Sequence, residues 1–259
     1  MVTMIEPSEI VTTLRAAGCV FAEDEATLLL AAARTPLELR TMVERRVAGL
    51  PLEHILGWVE FCGLRICVDP GVFVPRQRTA FMVERAVALA GPDAAVLDLC
   101  CGAGAIGVAI AARLPRVELF AADIDPAAVV SARRNMPPHG RVFEGDLFDP
   151  LPAGLRGRID IIVANTPYVP SEAIGLMPPE ARLHEARIAL DGGPDGLDVQ
   201  RRVAAEAPHW LAPGGRLFVE TSEEQAELTA EIFAANGLQP TVEHSEEHHS
   251  TVVSGRRAA

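Results

Sequence analysis

What most constrains this chain is a change of hydrophobic period near residue 94. From there, short apolar runs alternate with stretches of helical spacing. The runs predict strands at 95–99, 117–122, 141–144, 159–164 and 216–221. The stretches between them predict helices at 105–114, 126–135, 196–207 and 223–235. Strands separated by a helix must cross over, and so run parallel. The expected fold class is therefore α/β, a mostly parallel Rossmann-like sheet covered on both faces. Residues 240–244 and 251–255 predict a closing antiparallel hairpin.

The first 50 residues have a different character. Ser8 is a candidate cap for a helix carrying Ile10, Val11 and Leu14, with Gly18 at its end. Asp24 is a candidate cap for a second. Thr35-Pro36-Leu37-Glu38 has the form of a capping box with proline at the first helical position. Trp58–Phe61 and Leu64–Val68 flank Cys62-Gly63 and predict a hairpin. The expected organisation is an N-terminal helical bundle over 1–57, a linking hairpin segment over 58–75, and the sheet domain over 76–259. A long loop is expected at 169–195.

The first sheet strand runs into Leu99-Cys100-Cys101-Gly102-Ala103-Gly104-Ala105-Ile106-Gly107. Gly102 and Gly104 let a backbone approach a ligand closely, and Gly107 permits close helix–strand packing. The glycine spacing alone also fits a dinucleotide site. Asp98, just before the turn, argues against one, because a carboxylate there crowds a pyrophosphate. It suits S-adenosylmethionine, which carries a sulfonium and an ammonium and no phosphate. Asp98 is then expected to bind or orient the ammonium. Asp123, ending the second strand, is placed to accept the ribose hydroxyls. Asp146 is placed to accept from the adenine amino group, with Leu147 covering the ring.

Asn165-Thr166-Pro167-Tyr168 ends the fourth strand, where α/β sheets place their ligands. An amide-like nitrogen is a poor nucleophile, since its lone pair is delocalised. A sulfonium donor needs no strong base, only alignment and acceptors for the two N–H groups. Asn165 offers a carboxamide oxygen, and the carbonyl of residue 166 offers a second acceptor. Pro167 restricts residue 166 to extended geometry. Tyr168 can stack on a planar group. These four residues are the expected catalytic and substrate-binding set.

Composition narrows the classes further. The net charge is −12, which disfavours tight nucleic-acid binding. The five cysteines match no disulfide or zinc framework, so no metal is expected and a reducing, cytoplasmic setting fits. The N-terminus lacks a signal-peptide pattern, and no apolar run spans a membrane. Cys100 and Cys101 read as small packing groups rather than reactive thiols. His244, His248 and His249, set among glutamates, read as a solvated loop rather than a metal site.

Taken in order, these residues resemble the HemK-like protein glutamine methyltransferases, whose class I methyltransferase sheet follows a small helical domain. Pro51–Gly57, Val72–Arg76 and Ala189-Leu190-Asp191-Gly192-Gly193-Pro194-Asp195-Gly196-Leu197 carry the resemblance over nearly the whole chain. It implies S-adenosylmethionine as cofactor, with S-adenosylhomocysteine as product. It implies contacts from Cys100–Gly104, Asp123, Asp146, Leu147 and Asn165, and a substrate glutamine held by Asn165–Tyr168 with Arg76 close by. The family's partner is a protein with an exposed Gly-Gly-Gln glutamine, a peptide-chain release factor. The sequence departs from the family at three places. Thr166 replaces a proline, Gln77-Arg78-Thr79-Ala80 replaces Pro-Glu-Thr-Glu, and Cys100 replaces the loop's first glycine. A nucleic-acid amino-group methyltransferase, an NAD-dependent oxidoreductase and a cofactor-binding scaffold without turnover are the competing readings.

Overall fold

The computed structural model describes residues 6–259. The start of the segment read as lacking a signal peptide, residues 1–5, lies outside the described residues. Three helices, α1 (Pro7–Ala16), α2 (Ala22–Ala32) and α3 (Pro36–Val47), bury Ile10, Leu14, Leu29, Leu39 and Val43 against one another. Thr35 caps α3 as expected, accepting from the Glu38 N–H at 3.1 Å. Ser8 and Asp24 do not cap. Glu6 and Phe21 hold the cap positions of α1 and α2. Asp24 sits instead in the first turn of α2, with Glu23 and Glu25, where the helix dipole favours acids.

A short helix, α4 (Leu52–Leu56), leads into the hairpin of β1 (Trp58–Phe61) and β2 (Leu64–Cys67). Pro51 precedes α4, and Gly57 ends it in the left-handed conformation. After a single 3-10 turn, α5 (Ala80–Leu89) precedes the main sheet. The sheet elements are β3 (Ala95–Leu99), β4 (Glu118–Asp123), β5 (Arg141–Glu144), β6 (Ile159–Ala164), β7 (Leu211–Thr221), β8 (Leu238–Ser245) and β9 (Ser250–Arg257). Their spatial order is β5-β4-β3-β6-β7-β9-β8. The first five run parallel, and β9 pairs antiparallel with both β7 and β8.

The strands alternate as a two-faced sheet requires. On β3, Val96 joins one core layer and Leu97 and Leu99 join the other. The first layer takes in Met82 and Val83 of α5 and Ala109 and Ile110 of α6 (Ala105–Arg113). The second takes in Trp210, stacked on Phe148 with centroids 5.6 Å apart, and Phe233. Trp210 comes from α9 (Asp198–Trp210) and Phe233 from α10 (Ala226–Ala235).

The hairpin is tied to the sheet through α7 (Pro126–Asn135). Asn135 accepts from the Cys67 N–H at 2.8 Å, and its amide donates to the Cys67 carbonyl and to Ala103 in the glycine loop. Several element bounds differ from expectation, as at α9, α10, β8 and β9. β7 begins at Leu211, because Pro213-Gly214-Gly215 forms an irregular start to the strand rather than a separate turn. The 169–195 segment holds a helix, α8 (Pro179–His184), and two 3-10 turns. Chain order runs outward from β3 through β4 to β5, then returns to β6. The carboxyl ends of β3 and β6 therefore face each other at the point where the order reverses.

Candidate active site

The glycine loop is built by its own carboxylates. Asp123 at the end of β4 accepts the Gly102 N–H through Oδ2 and the Asp125 N–H through Oδ1, at 2.8 and 2.9 Å. Asp98 is fully buried and accepts the Gly107 N–H at 2.8 Å. Gly107 allows that approach, since a Cβ there would lie 3.1 Å from Asp98 and 3.0 Å from Leu119. Gly104 begins α6 in the left-handed conformation, against Ala132 of α7. Cys100 holds φ of 56°, a conformation that glycine adopts at lower cost. Burial pushes both the Cys100 and Cys101 thiols up, with nearby Asp98 and Asp123 adding to the effect. Neither is a thiolate nucleophile.

The carboxyl ends of β3, β4 and β6 surround a mostly apolar cavity of about 210 Å³. The structure brings Cys100, Cys101, Gly102 and Ala103 onto one wall of it. Asp123, Asp146 and Leu147 line one end, and Asn165, Thr166, Pro167 and Tyr168 line another. Two expected residues are not on its surface. Asp98 lies beneath the loop and Gly104 faces α7, so a direct contact of Asp98 with an ammonium is not part of this geometry. Burial, opposed by the Gly107 N–H and aided by Asp123, raises the Asp98 carboxyl to about 8.

Two others reach the cavity already engaged. Arg76 donates to both oxygens of Glu185 at 2.8 and 2.7 Å, and lies over the Phe73 ring at 4.8 Å. Asp146 accepts from Arg202 at 2.6 Å. Asn165 is free of such ties. Among the described residues, no side chain or backbone N–H donates to its carboxamide oxygen or to the Thr166 carbonyl. Tyr168 is held at both ends. Its hydroxyl accepts from Arg78 at 2.5 Å and donates to Glu220 at 3.3 Å, and its carbonyl accepts from Gln225 at 3.1 Å. Burial, then Glu220, pushes its phenol up.

The donor set separates the cofactor classes. The loop's Gly102 and Gly107 amides, which would cradle a pyrophosphate, are occupied by Asp123 and Asp98. The cavity offers carboxylates and apolar walls, which fit a sulfonium, a ribose and a purine.

Comparison with known proteins agrees. Residues 63–195 match the family model of the methyltransferase small domain. A release factor glutamine methyltransferase of Geobacter sulfurreducens is 44% identical over 202 residues, 77% of this chain and 70% of that one. The one from Mycolicibacterium smegmatis is 38% identical over 199 residues, 76% of this chain and 70% of that one. The chain belongs to the release factor glutamine methyltransferase family. Its S-adenosylmethionine dependence follows from that membership.

A methyltransferase crystal structure from Pyrococcus furiosus superposes on this family member with a TM-score of 0.57 at 16% identity. That match covers 85% of this chain and 98% of the other, and shows the shared fold. Several cavity residues of this methyltransferase lacked a sequence signal. Arg202 of α9 meets Asp146, 56 residues earlier in the chain, only through the tertiary fold. Ile124 is 45% exposed beside Asp123, and an apolar residue between two aspartates was the available cue. Met177 and Ile188 come from the 169–195 segment, whose tertiary course no local pattern sets.

Proposed function

We propose that this chain transfers a methyl group from S-adenosylmethionine to the side-chain amide nitrogen of a glutamine in a peptide-chain release factor. One observation carries the reading. The Cys100–Ala103 loop and the Asn165–Tyr168 tip open onto the same cavity. Bound S-adenosylmethionine supplies an already activated methyl on its sulfonium.

The protein's part is then alignment. The Asn165 carboxamide oxygen and the Thr166 carbonyl are two acceptors with no partner among the described residues, matched to the two N–H groups of a primary amide. Pro167 holds residue 166 extended, which aims its carbonyl. Tyr168, fixed by Arg78, Glu220 and Gln225, offers a rigid ring face to the planar amide. Asp123 suits the ribose diol. The free side of the Asp146 carboxylate and Leu147 suit the adenine. The 169–195 segment, pinned by Glu185 to Arg76 and by the Ala186 N–H to the Gly71 carbonyl, restricts water. Positioning and water exclusion of this kind supply up to about 7–11 kcal/mol in favourable cases. The unit at 1–57 is proposed to dock the substrate protein, with 58–75 linking it to the catalytic unit at 76–259.

The test is tritiated methyl transfer to purified release factor, with mass identification of the labelled residue. Label on a glutamine supports the reading. Label on nucleic acid, or none on the release factor, overturns it.

A further inference from the structure

A second cavity of about 730 Å³ lies against the first, and Arg78 and Tyr168 line both. Its far wall is the end of β7 and the turn between β8 and β9. Three carboxylates line it: Glu220, Glu223 and Glu246. Glu220 is 1% exposed, and its Oε2 has no hydrogen-bond partner among the described residues. The Ser250 hydroxyl, also buried and lining the cavity, is equally unpartnered. Buried polar atoms are rarely left this way unless something else completes them.

The charge is one-sided. The Arg78 guanidinium is committed to Glu220 Oε1 at 3.1 Å and to the Tyr168 hydroxyl. That leaves Glu223 and Glu246 uncompensated, since neither forms an ion pair among the described residues. His244 lies on the same wall with its Nδ1 on the Thr251 hydroxyl. A phosphate is excluded from such a site, and a cation with N–H donors is favoured.

The geometry points to this cavity as a subsite for the substrate polypeptide beside the methylated glutamine, taking a basic side chain. The inference rests on the proposed glutamine methylation, because the shared Tyr168–Arg78 wall places the subsite next to the amide. The ammonium or guanidinium lies in the field of Glu223 and Glu246, against the wall that holds the unpartnered Glu220 oxygen and Ser250 hydroxyl.

The experiment uses the full chain with synthetic Gly-Gly-Gln peptides carrying Arg, Ala or Glu at each position flanking the glutamine. At one flank, KM for the Arg peptide is expected to be about tenfold below that for the Glu peptide. In a Glu223→Gln/Glu246→Gln variant that still binds S-adenosylhomocysteine, that ratio is expected to shrink toward one. Equal KM values across the peptides overturn the subsite while leaving glutamine methylation standing. A ratio that persists in the variant also overturns it. Failure to label any peptide or the release factor removes glutamine methylation, and the subsite with it.

Discussion

Two aspartates flank the glycine loop, and burial divides their work. Asp123 reaches the cavity, while Asp98 is sealed beneath it against Gly107. The sequence placed Asp98 before the turn correctly, but adjacency in the chain carries no information about which side of the loop a carboxylate faces. Its carboxyl rises from the ordinary value near 4 to about 8, chiefly through burial. The folded state therefore keeps a proton that the unfolded chain releases above about pH 4. The stability associated with Asp98 is full below that pH, falls as pH rises toward 8, and then levels. Asp98→Asn is expected to flatten the slope in that window, read from urea midpoints at successive pH values, and to keep S-adenosylhomocysteine affinity. An unchanged slope would mean that Asp98 is ionised in the native protein. Asn165→Ala tests the neighbouring claim. It should lower kcat by at least about 100-fold, the scale of removing one positioned polar group, with cofactor affinity nearly unchanged. A near-normal kcat would refute the role.

At the scale of elements, strands β3 and β6, helix α7 and the capping of α3 were legible because local patterns fix them. Continuous apolar runs, buried on both faces, set the strands, and proline with an acceptor side chain set the helix starts. The 169–195 segment was not legible, because distant partners set its course. Arg46 of α3 is the clearest case. It is buried, and it bonds Glu25 of α2 at 2.6 Å and Glu180 of α8 at 2.5 Å, so the bundle and the segment over the cavity share one cation. Arg46→Ala leaves Glu25 buried without a counterion. The expected cost is about 3–5 kcal/mol, seen as an earlier unfolding midpoint. Glu180→Gln should cost only about 0–1 kcal/mol, since that carboxylate is half exposed. Its mark should instead be faster proteolysis between residues 176 and 188. If both variants behave alike in unfolding and in proteolysis, Arg46 is not the link between the two units.

The whole molecule carries 23 basic and 35 acidic side chains, and every basic one is an arginine. Many of these arginines are committed to internal carboxylates, including Arg46, Arg76, Arg78 and Arg202. The net field of the molecule is that of −12, which opposes a phosphate backbone. Such a field speeds encounter with basic polypeptides and slows it with acidic ones. Raising ionic strength from about 0.01 to about 0.15 M shortens the Debye length from about 30 to about 8 Å. The kcat/KM for an Arg-flanked glutamine peptide is expected to fall by about tenfold over that range, and that for an Ala-flanked peptide far less. Added duplex DNA or RNA should not compete. A salt-independent kcat/KM for the basic peptide would show that the acidic surface plays no part in recruiting substrate. Inhibition by nucleic acid would instead point to a basic face that the net charge conceals.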